Sequence, residues 1–527
     1  MNQSKSALNN RPSKQTMKTF LLALAFSLTP VSLLLSASAI ERPNFICILV
    51  DDLGYADVSF QDIVAEDVET PNIDRLAKTG VVFTEAYASS PICSTSRLAF
   101  LTGRYQTRWG GYWYGQGGLP NDEQTIAELL RDQGYKTMKV GKTHLNHGEK
   151  PFPLDHGFDE YLGFEHHSWD FFLLSEKDKN AYEARKAGST EAPQFFWMGP
   201  LTRNREEVSY ENSNTTDIFA DESVAFIERN AGNPFYLQLE FNAVHTLLTV
   251  VPDEYAEKYD IPKYPFNRDA TADTWDYPYW DPQKEDYKKW YSDVAHLVKV
   301  DPYGRKKYLV HLEMLDKAIG RITETLETTG QLENTFIFFS SDNGGSHQSY
   351  ANNGPLHVYK YCIADGGIKV PMFVTWPKGI DSGKRTEALV THRDIFATIS
   401  DITGAHPKKE LDAKSLLPLI AGEVDYLHDE LFWDTGKNSW AYRDGDWKLA
   451  LFPEKEYTWY ELDKDGLVKP ELNTTWLKEE MALFNLKEDE GETTNLADKH
   501  PEKVEAMFAR YKEWRATQGD PVRGKRK

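Results

Sequence analysis

A chain of 527 residues, 40% of them apolar, is long enough for two or three domains around a sizeable core, and no repeat or low-complexity tract interrupts it. Its 60 basic against 81 acidic residues leave a formal charge of −21, which argues against nucleic acid as a partner and for solubility. Three cysteines are too sparse for a disulfide framework.

Residues 1–39 carry Lys5, Arg11, Lys14 and Lys18, then an apolar stretch from Phe20 to Leu35 and the small residues Ser36-Ala37-Ser38-Ala39. This is the layout of a cleaved secretory signal, with cleavage expected after Ala39 and no later span. The remaining 488 residues would then be exported, periplasmic or secreted, and their formal charge moves to −25.

Asn44 to Val50 is a nearly continuous apolar run, suited to a strand covered on both faces, and it stops at Asp51-Asp52. Thr70 to Gly80 has a cap residue, Pro71 at the first helical position and a closing glycine, and it leads into the apolar Val81-Val82-Phe83. From Pro91 to Arg104 stand a lone cysteine, Cys93, then Arg97 four residues later, an apolar run and Thr102-Gly103-Arg104. This reads as a nucleophile at the first turn of a helix, where free N–H groups and the dipole favour an anion.

A helix over Thr125–Gln133 is followed by a strand over Tyr135–Val140, which runs into Lys142 and His144. Next come a helix over Asp217–Asn230 and a strand over Pro234–Phe241, which runs into His245. A long helix from about Lys306 to Thr328 precedes the strand Phe336–Phe339, which leads into Asp342-Asn343-Gly344-Gly345. Alternation of this kind predicts an α/β domain with a mainly parallel sheet, and ligand sites in such sheets lie beyond the carboxyl ends of the strands. Four strands each ending in a reactive cluster point to one site.

Asp51, Asp52, Asp342 and Asn343 together offer three carboxylates and an amide oxygen, a hard oxygen set suited to Ca²⁺ or, less readily, Mg²⁺. After a segment over Val370–Pro377 and a helix from Arg393, short aromatic strands begin near residue 425, at Glu430–Trp433, Trp440–Arg443 and Asp446–Leu449, and a last helix covers Pro501–Trp514. The division expected is a catalytic domain over 40–424 and a smaller C-terminal α+β subdomain with an antiparallel sheet over 425–527.

The Cys93, Arg97 and Thr102-Gly103-Arg104 pattern, joined to the two acidic clusters, resembles the type I sulfatases, with Thr95 where that family usually has Pro or Ala. The resemblance implies an alkaline-phosphatase-like fold and a Cys93 oxidised after translation to formylglycine by a maturation enzyme. It places the metal ligands on Asp51, Asp52, Cys93, Asp342 and Asn343, and sulfate binding and proton transfer on Arg97, Lys142, His144, His245 and Lys360. In the mechanism implied, hydrated formylglycine attacks sulfur, Arg97, Lys142 and Lys360 neutralise the sulfate oxygens, His245 with Lys360 protonates the leaving oxygen, and His144 helps expel sulfate. His357, Asp365 and Lys369 stand where the family more often has Arg, Glu and Arg, and Thr143, Asn146 and Val244 replace Trp, Gly and Pro.

Between His245 and the long helix, an insertion of about sixty residues carries Trp275, Tyr277, Tyr279, Trp280, Tyr287, Trp290 and Tyr291, rings suited to stacking on sugars or to packing the insertion down. Trp109 to Tyr114 and Trp169 pose the same choice. With His166, His167, His357 and Trp280 as candidate substrate contacts, the expectation is hydrolysis of a sulfated algal polysaccharide or its oligosaccharides, such as a carrageenan or ulvan fragment. A phosphatase or phosphonate hydrolase on the same scaffold, and a non-catalytic binder of sulfated glycans if Cys93 stays a thiol, are the alternatives.

Overall fold

The computed structural model describes residues 42–145, 152–165, 171–173, 201–210, 213–246, 248, 251–262, 300–436 and 438–522. The signal segment, His166, His167, Asn146, Trp169 and the aromatic cluster from Trp275 to Tyr291, Trp280 included, lie outside them. No helix among the described residues is long and apolar enough to cross a membrane.

The strands of the main sheet are, in chain order, Asn44–Val50 (β1), Gly80–Phe83 (β2), Lys136–Lys142 (β3), Glu160–Phe164 (β4), Leu201–Arg203 (β5), Glu206–Val208 (β6), Phe235–Phe241 (β7), Thr335–Ser341 (β8), Met372–Thr375 (β9) and Lys384–Thr386 (β10). Their spatial order is β10-β2-β9-β8-β1-β7-β3-β4-β5-β6. The centre, from β8 through β1, β7 and β3 to β4, is parallel; β9 is antiparallel to its neighbours, as are β5 and β6.

The unbroken apolar run of β1 has a direct cause. Ile46, Ile48 and Val50 enter one core and Phe45, Cys47 and Leu49 the other, because successive side chains point to opposite faces. On the first face pack Pro71–Ala77 (α1), Thr215–Arg229 (α2) and Gly304–Thr328 (α3), through Ile73, Phe219, Ile227, Leu312 and Ile319. On the second pack Cys93–Thr102, Ile126–Asp132 and Asp394–Thr403, through Leu98, Phe100, Ile126, Phe396 and Ile399. Each large apolar side chain so buried contributes about 1.5–3 kcal/mol.

Local signals behave unequally. Thr125 forms a full capping box with Glu128. Thr70 does not cap α1: its hydroxyl donates to Asp74 and accepts the Ser59 N–H instead, and the helix ends at Ala77, leaving Gly80 to open β2.

A second, antiparallel sheet comprises Glu430–Asp434 (β11), Trp440–Asp444 (β12), Trp447–Leu451 (β13) and Met481–Asn485, with the hairpin Lys455–Trp459 and Asn473–Leu477 beside it. One face takes the helix Pro501–Arg515, whose Tyr511 stacks on Trp440 with centroids 4.0 Å apart. The other face, through Leu431, Trp433, Ala441 and Phe484, covers Tyr359, Cys362, Ile363 and Ile368. The C-terminal sheet is thus seated on the loop that carries Lys360.

Candidate active site

β8, β1, β7 and β3 are adjacent and parallel, with Val50 level with both Ser341 and Phe241 and with Glu240 level with Gly141. Their carboxyl ends therefore deliver Asp342-Asn343, Asp51-Asp52, His245 and Lys142 with His144 to one place. Gly141 is needed there: its φ is +98°, and a Cβ would collide with the carbonyl oxygen of Glu240. Asp52, His144, Val358 and Tyr361 adopt φ of 61°, 49°, 60° and 74° without being glycine, a left-handed conformation that costs each about 1–2 kcal/mol and is concentrated at functional sites.

Cys93 is the first residue of its helix, after an extended Ile92, and its Sγ lies 3.2 Å from Nδ1 of His144. Thr95 is fully buried, and its hydroxyl bonds Ser90 at 2.7 Å and donates to the Ile92 carbonyl, so it braces this first turn from inside. Lys142 Nζ is 2.5 Å from Asp51, Lys360 Nζ 2.6 Å from Asp52, and His245 Nε2 3.6 Å from Asp52. His245 Nδ1 faces the Thr246 carbonyl at 2.6 Å, which turns Nε2 toward the carboxylates. Asn343 donates its amide to Asp52 at 2.8 Å.

Arg97 sits differently from the expected clamp on sulfate oxygens. Fully enclosed, it donates from Nε to Asp342 at 2.9 Å, forms an ion pair with the same carboxylate through a terminal nitrogen at 2.8 Å, pairs with Glu240, and approaches Asp51 at 3.5 Å. Its charge is directed at carboxylates, and the two lysines are the cations at the mouth of Cys93. Glu240 was not singled out from the sequence, nor was Lys139, which pairs with it at 2.6 Å. Both are charged residues inside strands covered on two faces, and that misfit was the available signal. Tyr114, half exposed, stands edge-on to His144 with centroids 5.6 Å apart, and Trp113 neighbours Tyr361, whereas Tyr112 is buried and donates to the Gly519 carbonyl.

Four buried carboxylates (Asp51, Asp52, Glu240, Asp342) face four buried cations (Arg97, Lys139, Lys142, Lys360), so the enclosed shell is balanced as it stands. Burial alone would raise the carboxyls of Asp51 and Asp52, but the neighbouring lysines, with His245, hold both below the usual carboxylate range. Burial pushes Asp342 up despite Arg97. Burial also raises the Cys93 thiol, against the pull of Lys142 and Lys360, so the encoded side chain is not a ready thiolate.

The donor set fits a hard divalent cation. Asp51 Oδ1 and Asn343 Oδ1 are buried oxygens without a hydrogen-bond partner, an arrangement that is costly unless something positive takes them. Ligand atoms of Asp51, Cys93 and Asp342 lie within 4.8 Å of one another, as do those of Asp51, Asp52 and His245.

The loop bearing Lys360 is tied down from beneath. Asp365 accepts from Lys448 at 2.6 Å and from the Tyr87 hydroxyl at 2.6 Å, its N–H donates to Glu492, and Lys369 pairs with Glu85 at 2.7 Å. Asp365 thus ties the loop to the second sheet through Lys448, and Lys369 ties it to Glu85 and Glu490. His357 lies on the same loop, half-buried, in the wall of a cleft.

Comparison with known proteins agrees with this geometry. Residues 43–405 match the family model described as sulfatase, and residues 357–471 match that of the N-sulphoglucosamine sulphohydrolase C-terminal region. The chain is 28% identical to mouse N-acetylgalactosamine-6-sulfatase over 90% of its own length and 86% of the relative's, and 29% identical to human steryl-sulfatase over 75% and 72%. Among solved structures, Ps i-CgsB in complex with k-i-k-neocarrahexaose is similar at TM-score 0.70 and 28% identity, covering 91% of this chain and 94% of that one. With more than half of its length matched by the family model, and its metal-type carboxylates, cysteine and lysines gathered at one sheet edge, the chain belongs to the sulfatase family and is a sulfuric ester hydrolase.

Proposed function

We propose that this protein is an exported carbohydrate sulfatase that removes sulfate from a polysaccharide, or from oligosaccharides derived from it, of the carrageenan or ulvan type. The observation that carries the reading is the seat of Cys93: the first turn of a helix, against His144, between two lysines and a carboxylate shell with two unsatisfied oxygens. The carrahexaose bound to a similar structure supports a carbohydrate rather than an aryl ester as the natural substrate.

Asp51, Asp52, Asp342 and Asn343 would hold a calcium ion, and Cys93, converted to formylglycine, would complete the shell. Together the two groups would supply a nucleophilic oxygen acidified by the metal.

The remaining roles belong to the chain. A divalent ion would turn a balanced shell into one with an excess of two positive charges, which draws in an anionic ester. Lys142 and Lys360 take the sulfate oxygens, whose charge would otherwise repel the nucleophile. Arg97, held by Asp342 and Glu240, fixes the carboxylates rather than the sulfate. His245, once doubly protonated, would deliver a proton from Nε2 to the departing sugar oxygen while Nδ1–H holds the Thr246 carbonyl; burial and Lys360 oppose that charged form, and the Asp51 and Asp52 carboxylates favour it. His144 Nδ1 holds or removes the proton at the position of Sγ.

The test has two parts. Peptide mass spectrometry across Cys93, on protein from a host with a formylglycine-generating system, is expected to show a mass about 18 Da below that of the thiol and no labelling by alkylating reagents. Matched sulfate and phosphate esters, and a panel of sulfated glycans, are then compared as substrates. A free thiol at Cys93 in such a host, or release of sulfate from aryl esters alone, would overturn the reading.

A further inference from the structure

Between the Lys360 loop and the hairpin of the second sheet lies a cleft of about 440 Å³, a size suited to a small ligand. The hairpin register determines what it presents. Tyr457 is opposite Thr475 and Trp459 opposite Asn473, so Tyr457, Trp459 and Thr475 share the inner face, while Trp476 points outward.

The aromatic rings here differ in availability. Tyr359 is packed on His347, with centroids 3.7 Å apart, and edge-on to Tyr457, so both are committed to the wall. Trp459 is 42% exposed and offers an open ring. Around it stand polar groups with hydrogen-bonding capacity in hand. The imidazole of His357, the side-chain Nδ2 of Asn352 and the hydroxyl of Thr475 have no hydrogen-bond partner among the described residues.

Among the described residues of the lining, no formal charge is free. Arg305, in the lining, is saturated by Asp57, Asp67 and the Tyr350 carbonyl, and burial lowers His357 toward the neutral form. An open aromatic platform, neutral donors and acceptors, and no available cation match an uncharged, hydroxyl-rich ring and not a sulfated one.

The cleft is joined to the catalytic groups through one hydrogen-bonded loop. Asn353, in its floor, accepts the N–H of Gly345 and donates to the carbonyls of Gly345 and Val358, and Gly345 in turn accepts the N–H of Lys360. Gly345 is two residues from Asn343, and Tyr359 adjoins Lys360.

We propose that this cleft is a second sugar-binding site, in which an unsulfated pyranose of the glycan stacks on Trp459 with its hydroxyls bonded by His357, Asn352 and Thr475. The inference rests on the reading of the enzyme as a carbohydrate sulfatase. It makes the enzyme a reader of chain length as well as of the sulfated residue.

The test compares kcat/KM for a sulfated disaccharide and for a hexasaccharide of the same repeat, using the full-length matured enzyme. In Trp459→Ala and in Thr475→Trp, which fills the cleft, the hexasaccharide-to-disaccharide ratio is expected to fall about tenfold through KM with kcat retained, and Trp476→Ala is expected to keep the ratio. Ratios within about twofold of the wild type in both cleft variants, with both glycans still hydrolysed, would overturn the second site and leave the carbohydrate sulfatase standing. If the wild-type enzyme hydrolyses neither glycan, the carbohydrate reading falls and the site falls with it.

Discussion

Sγ of Cys93 lies 3.2 Å from Nδ1 of His144, and that contact joins the start of a helix on one face of the sheet to the end of β3. His144 holds its place in a left-handed backbone conformation with Tyr114 edge-on to its ring, an expenditure of strain that a merely structural histidine would not need. Replacing His144 with Ala should lower kcat by about 10²–10⁴ while KM for the sulfate ester moves little, since the residue handles a proton and not the anion. Steady-state kinetics decides it: a loss confined to KM would reassign His144 to binding.

Metal binding should be visible without any turnover. Asp51 Oδ1 and Asn343 Oδ1 are buried and accept no hydrogen bond, so a divalent cation that takes them binds only the folded state. Calcium added to chelator-treated protein should raise the melting temperature, by the equivalent of about 2.7 kcal/mol at a hundredfold excess over Kd. Asp342→Asn should abolish most of the shift. A calcium-independent melt in the wild type would remove the ion from the site.

Much of this centre was legible in the chain, and the reason is topological. Four parallel strands that end in reactive residues can bring them together only if they are neighbours, and β8, β1, β7 and β3 are. Apolar runs and caps announced each strand and helix that positions the site, whereas β9 turned out antiparallel because pattern alone carries no direction. Glu240 and Lys139 each stood out as a charge in an apolar strand, but what that charge is for becomes readable only once its partner on the next strand is known. The partner of Arg97 could not be read either: an arginine four residues after Cys93 is equally placed for sulfate and for Asp342, and only the packing separates them. The cleft beside Lys360 is lined by segments distant in the chain, from Arg305 to Thr493, and of these only His357 had drawn attention.

The Glu240 cluster separates stability from catalysis. Glu240→Gln leaves Lys139 buried without its counter-charge and should cost about 3–5 kcal/mol, measured by chemical denaturation. Adding Lys139→Met removes the stranded cation and should recover most of that loss. Activity should not return with it, because Arg97 would still lack the partner that aims it at Asp342 and Asp51. Full recovery of kcat in the double variant would show that Glu240 serves Lys139 alone.

Acid sensitivity should trace to a histidine outside the chemistry. His392 is fully buried against the segment that leads into Cys93: Nε2 accepts the N–H of Ser89 at 2.8 Å and lies 3.0 Å from the hydroxyl of Ser96. Acceptance from an N–H requires a lone pair on Nε2, so the ring is neutral in the fold, and burial, reinforced by Arg393, pushes its pKa down from 6.5 to about 3. The unfolded chain takes up a proton near 6.5 that the folded one refuses until far lower. His392 therefore costs nothing above that pH, and stability drains away as the pH falls from about 6.5 toward 3, by up to about 4–5 kcal/mol. His392→Gln, which keeps an acceptor and cannot titrate, should flatten this acid limb in urea melts taken between pH 7 and 4. An unchanged pH slope in that variant would place the acid sensitivity elsewhere, and stability that rose on acidification in the wild type would contradict a neutral His392 altogether.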